Sequence, residues 1–193
     1  MNKNRGFSLL EVLVTLLLTT IGILGMVVLQ NKGIQYTQDA VNRDNAASLT
    51  NDLIEIMRAH KEELFEKKPP AHMTYSEIKS SSDLYSATGA FAFTGEDCAD
   101  DPQTLKEHAG CWLNKVETTL PGAGTADSGV SAKFKLCPSF ALDGNNIPQC
   151  AGSGYKGSTI TVQLAWQVRD NLCDASKEPT EATICTYITR VEL

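Results

Sequence analysis

The feature that most constrains this chain is an apolar run close to its start. From Phe7 to Leu29 it reads FSLLEVLVTLLLTTIGILGMVVL, with a single charge at Glu11. As a helix the run exceeds the roughly 20 residues that cross a bilayer. Lys3, Arg5 and the amino terminus form a positive flank, which should stay cytoplasmic while the remainder crosses. A cleavable secretory signal would have a shorter core followed by a small-x-small site. Here Gly22 and Gly25 lie inside the run and no convincing site follows it. A plain anchor explains length and flank but has no use for a carboxylate so early in the span. Such a group costs about 2.5–3.5 kcal/mol in hydrocarbon, so Glu11 marks a partner unless it snorkels to the interface. A cut between Gly6 and Phe7 would create that partner. Residue 7 would carry a free amine, one helical turn from Glu11 on the same face, and the carboxylate could neutralise the amine of a neighbouring subunit.

The string Arg5-Gly6-Phe7-Ser8-Leu9-Leu10-Glu11-Val12 resembles the class III signal of type IV pilins and type II secretion pseudopilins. The resemblance implies that a prepilin peptidase cuts after Gly6 and that Phe7 is N-methylated. It also implies that Glu11, fifth in the mature chain, serves subunit recruitment and registration. Its retention argues against the uppermost subunit of a pilus tip, which in related systems can lack this glutamate.

Beyond Leu29 the chain turns polar without turn signals. Ile34, Val41, Leu49, Leu53, Ile56 or Met57, His60 and Leu64 recur at helical spacing. The helix formers of DLIEIMRAHKEELFEKK predict continuation to about Lys67, and Pro69-Pro70 ends it. Such a helix would be roughly 90 Å long. A domain of this size cannot bury it, so the first half belongs in lipid or other subunits and the second on the C-terminal domain. Gly22 and Gly25 fit close helix packing, with bending as the alternative reading. Many major pilins have a proline at the position of Val28, and its absence weakens any case for helix melting there. Ile21 to Met26, Leu29-Gln30, Ala46-Ala47 and the stretch Asp52-Leu53 to Met57-Arg58-Ala59 resemble the minor pilins of the pilus modification protein (PilV) group. That likeness covers about residues 3–60. Taken singly, Asp52 and Arg58 read more simply as solvated helix charges, since family likeness does not make a charge functional.

The rest of the chain should supply the partner for the helix face. Val130 to Cys137, Ser158 to Arg169 and Ala182 to Glu192 alternate as strands, and a fourth strand is predicted around Cys111 to Thr118. A short helix is predicted at about Pro102 to His108. The glycines at 122, 124 and 129, and at 144, 152, 154 and 157, mark loops. The predicted fold is α+β, the type IV pilin fold: a long N-terminal helix packed on an antiparallel four-stranded meander with disulfides. The expected boundaries are a leader at 1–6, a membrane or filament-core segment at 7–29, an amphipathic continuation at 30–68 and a head domain at 69–193.

All six cysteines fall from Cys98 onward, on the far side of the predicted membrane, where disulfides form. Fifteen pairings are possible. Neighbour pairing, Cys98–Cys111, Cys137–Cys150 and Cys173–Cys185, is preferred because each bond would clamp one loop beside a strand. No CxxC occurs, and His60, His72 and His108 have no regular spacing to cysteine, so zinc held by thiolates is not expected. The acidic string from Glu96 to Asp101 fits no EF-hand loop and reads as a solvated turn rather than a calcium site.

Composition narrows the function. The 193 residues are 42% hydrophobic and 21% charged, which excludes an intrinsically disordered chain. A formal charge of -6 leaves no basic surplus, and Lys133, Lys135 and Lys156 are too few to suggest nucleic-acid binding. No GxSxG, phosphate-binding glycine loop or HExxH occurs, so neither catalysis nor a cofactor is expected. The resemblance implies a minor pilin that helps prime type IV pilus assembly at or near the tip. Its partners would be other minor pilins, the major pilin, the prepilin peptidase and the inner-membrane assembly machinery, with a large tip adhesin as a further candidate. It would reside as a single-pass inner-membrane protein with a periplasmic head, then in the pilus. A type II secretion pseudopilin is the alternative, followed by a pilus-associated adhesin or DNA-binding subunit.

Overall fold

The computed structural model describes residues 9–67, 76–139, 141–143, 148–151, 155–168, 173 and 183–193. Its first element is the helix α1, Leu9–Ala59. The chain divides into two units, with the boundary after Ala40.

In the first unit, α1 presents its large apolar side chains outward. In the second, the same helix acquires a buried stripe of Ala46, Leu49, Thr50, Leu53, Ile54 and Met57. These positions repeat at three, four and seven residues, the signature of one helix face against a core. Thr50 Oγ1 donates to the Ala46 carbonyl at 2.8 Å, so its hydroxyl is satisfied within the helix. The core-facing stripe thus begins later than predicted: Ile34 and Val41 remain 56% and 52% exposed.

The helix also ends earlier than predicted. His60 leaves helical geometry, and a four-residue helix α2, Lys61–Leu64, leads directly into strand β1, Phe65–Lys67. Strand β1 pairs antiparallel with β2, Ser76–Ile78. The residues of KEELFEKK favour helix, but Leu64 and Phe65 are fully buried and Phe65 is held opposite Ile78. Tertiary burial overrides a weak local preference. The predicted stop at Pro69-Pro70 lies outside the described residues.

The stretch predicted as a strand at Cys111 to Thr118 is helical. It forms most of α3, Leu105–Thr119, which also absorbs the short helix predicted from Pro102. Thr104 caps the helix: its Oγ1 accepts from the Glu107 amide, while the Glu107 carboxylate accepts from the Thr104 amide at 2.9 Å. Leu105, Ala109, Trp112, Leu113 and Val116 then fall on one buried face. Trp112 Nε1 donates to the Leu49 carbonyl at 2.7 Å, and Lys115 Nζ meets Asp52 at 2.7 Å, fastening α3 to the end portion of α1.

Among the described residues the main sheet has three strands in place of the predicted four. These are β3, Lys135–Pro138, β6, Thr159–Val168, and β7, Thr183–Glu192, antiparallel in the order β3-β6-β7. Between β3 and β6 lies a small ladder of β4, Ala141–Leu142, and β5, Pro148–Gln149. The first residues of the strand predicted from Val130 instead make a 3₁₀ turn at Ser131–Lys133. Strands β6 and β7 pair without interruption from Thr159 opposite Glu192 to Val168 opposite Thr183. On β6, Ile160, Val162, Leu164 and Trp166 are buried, as are Thr161, Gln163 and Ala165 on the other face. The two polar side chains are satisfied: Thr161 Oγ1 donates to Ser139 O and Gln163 Nε2 to Lys133 O.

Three disulfides close the second unit. Cys98–Cys111, Cys137–Cys150 and Cys173–Cys185 have Cα separations of 4.4, 5.5 and 5.4 Å. Together these elements make an α+β structure in which a long N-terminal helix packs its final portion on an antiparallel, disulfide-bonded sheet domain, the type IV pilin fold.

Candidate assembly helix

Residues 9–40 form an unbroken stretch of α-helix, long and apolar enough by length and composition to cross a membrane. Leu9, Leu13, Leu16 to Leu18, Ile23, Leu24 and Met26 to Leu29 all present large side chains outward. Removing such a surface from water gains about 25 cal/mol per Å², which favours lipid or other helices around it. Inside such surroundings every polar group must find a partner within the helix. The threonines do so: Thr15, Thr19 and Thr20 donate to the carbonyls of Val12, Leu16 and Leu17 at 2.8, 3.0 and 2.8 Å.

Among the described residues of the apolar run, 9–29, Glu11 is the charged one, an exposed carboxylate. Helical geometry places it in line with two glycines. Glu11, Gly22 and Gly33 recur every eleven residues, three turns apart, and so lie within about 20° of one another in succession. A Cβ on Gly22, Gly25 or Gly33 would meet no atom within 4 Å. These glycines therefore relieve no crowding within the chain; each leaves a small bare patch of backbone that another helix can approach closely. The helix runs through Gly22 and Gly25 without a break. Gly33 was not singled out from the sequence because it sits among polar residues beyond the apolar run. Its eleven-residue spacing from Gly22 was the available signal.

Gly6 and Phe7, the predicted cleavage and methylation positions, lie outside the described residues. The two charges marked by the PilV likeness have local partners. Arg58 Nη1 pairs with Glu55 at 2.9 Å on the helix surface, and Asp52 makes the contact with Lys115. In the acidic loop, Asp97 accepts from the Thr94 amide at 2.8 Å and pairs with Lys106 at 2.8 Å. The Lys106 ammonium first, and the Thr94 amide next, hold the Asp97 carboxyl below its ordinary range. The same pairing raises Lys106. The Gln103 and Thr104 amides likewise depress Glu107. Burial pushes the Tyr85 phenol well up, and its hydroxyl donates to the Lys79 carbonyl at 2.8 Å. All these groups perform structural tasks. Every cysteine thiol is consumed in a disulfide.

The family model described as the prokaryotic N-terminal methylation motif matches residues 1–27. No curated protein sequence and no solved structure matches the chain. The motif, the long apolar helix and the disulfide-bonded sheet domain together support the type IV pilin and pseudopilin superfamily. That fold is consistent with partnership with other pilins and with a pilus assembly apparatus, and the helix with one membrane-spanning segment.

Proposed function

We propose that this protein is a minor pilin that helps prime type IV pilus assembly within a minor-pilin complex at or near the pilus tip. The observation that carries the reading is the exposed apolar stretch of helix at residues 9–29, joined to a methylation motif at residues 1–27. Prepilin peptidase cuts after Gly6, the new amino terminus at Phe7 is methylated, and Glu11 registers the subunit against its neighbour's amine. Before assembly the helix is stored in the inner membrane with residues 69–193 in the periplasm. A preformed cluster of such helices offers faces and carboxylate–amine partners, so the incoming major pilin is spared an unfavourable first association.

The deciding experiment is deletion of the gene with complementation, scored separately for surface pili and for type II secretion. Loss of pili with intact secretion is expected. Lost secretion with normal pili would assign the chain to a secretion pseudopilus instead. Peptide mass analysis of assembled pili should find N-methylated Phe7 as the first residue; residues 1–6 still attached would refute the processing step.

A further inference from the structure

The end of α1 brings together two histidines from separate elements. His60 directly follows α1, His108 lies in the first turn of α3, and their ring centroids are 5.2 Å apart with planes inclined at 50°. Both rings are half-buried. His60 Nδ1 lies 3.0 Å from the Ile56 carbonyl oxygen. A carbonyl only accepts, so Nδ1 carries the proton, and the neutral ring is left with its lone pair on Nε2. An imidazole whose second nitrogen is tied to a backbone carbonyl is oriented as metal-binding histidines usually are. The spacing agrees as well. With metal–nitrogen bonds of roughly 2.0–2.1 Å, two imidazoles on one tetrahedral ion have ring centres roughly 5 Å apart.

The supports beneath the two rings are firm. The His108 amide bonds the Thr104 carbonyl at 3.1 Å, within the capped first turn of α3. The His60 amide is shared between the Ile56 and Met57 carbonyls at 3.2 and 3.3 Å. The neighbouring Glu107 carboxylate is engaged by the Gln103 and Thr104 amides, so the imidazoles are the donors offered here. Nitrogen donors of this kind suit zinc-class ions and not calcium or magnesium.

We propose that His60 and His108 form a two-imidazole site for a divalent transition metal such as Zn²⁺, with water completing the coordination, that clamps the end of α1 to α3. The ion would be structural, tightening the domain where the long helix gives way to β1, and the proposal is independent of the pilus reading. The test uses the full chain in detergent, free of any polyhistidine tag and stripped of metal, titrated with Zn²⁺. Calorimetry should give one ion per chain in the micromolar range, with a rise in the thermal midpoint. His60→Gln and His108→Gln, which keep side-chain bulk, should each weaken binding at least about tenfold and abolish the thermal shift. His72→Gln should leave both readouts as they are, and circular dichroism without metal should show each variant folded. Absence of saturable binding up to millimolar Zn²⁺, or binding that depends on only one or neither of the two histidines, would overturn the site.

Discussion

Gly110 shows how one residue fixes the seating of a helix. A methyl group on its Cα would lie 2.7 Å from the Cys98 amide nitrogen, 2.8 Å from the Asp97 carbonyl carbon and 2.9 Å from the Thr94 oxygen. These are backbone atoms, which cannot swing aside as the tip of a side chain can. The same approach brings Cys98 and Cys111 into bonding range. Gly110→Ala gains about 1 kcal/mol of helix propensity, yet the clash should win and leave the domain less stable by about 1–3 kcal/mol. Denaturant unfolding checks this, and an unchanged or raised midpoint would show that the loop yields freely. Glu11 poses the opposite case. It is exposed and far in sequence from the buried stripe that begins at Ala46. Glu11→Ala should therefore leave thermal unfolding and membrane insertion unaltered while impairing incorporation into pili and piliation. Normal piliation by the variant would make the carboxylate incidental.

At the scale of elements, α3 carries the most instructive acid dependence. Glu107 is depressed by the two amides it caps. A carboxyl whose folded value lies below its unfolded value stabilises the fold above the unfolded value, and that contribution is lost as pH falls through the folded one. Glu107→Gln should therefore lower stability at neutral pH and flatten the loss on acidification below the ordinary carboxylate range. Urea midpoints followed from pH 7 downward test it; parallel curves for the two proteins would mean that the cap contributes nothing through charge. This same element marks where local sequence was legible and misread. Thr104-Leu105-Lys106-Glu107 is a capping-box signature opening a run with Leu105, Ala109, Trp112 and Val116 at helical spacing, which outweighs the strand predicted around Cys111 to Thr118. Strands β6 and β7 were legible because long alternating runs have one interpretation. Strand β1 was not, since three residues carry no period and its pairing with Ile78 is a long-range event. The apolar helix was legible where its pattern is local, in the long apolar run. The point at which its face turns toward a core, Ala46, and its early end at Ala59 needed the packed structure.

For the molecule as a whole, the two units ask for different surroundings. The apolar stretch of helix at residues 9–29 favours lipid or other helices, whereas the second unit has a core of its own and is cross-linked. Its three disulfides span 12 or 13 residues each. In the chain-entropy model a loop of that size restrains the unfolded state by about 3 kcal/mol. Three such loops rival the whole net stability of an ordinary domain, about 5–15 kcal/mol. Folding should consequently depend on an oxidising compartment, which the proposed periplasmic placement of this unit would supply. The bonds are not equivalent. Cys137 is fully buried, and a side chain on Gly89, whose φ is +81°, would press on Sγ of both Cys137 and Cys150. Cys98 lies at the surface. Replacing Cys137 and Cys150 together by serine should cost more stability than replacing Cys98 and Cys111, because the former also places a hydroxyl in the core beside a backbone turn that cannot close around it. Thermal unfolding of the two double variants in an otherwise oxidised chain decides the order. Equal midpoints would mean that only loop closure matters, and a wild-type chain whose midpoint is unmoved by full reduction would overturn the dependence on disulfides altogether.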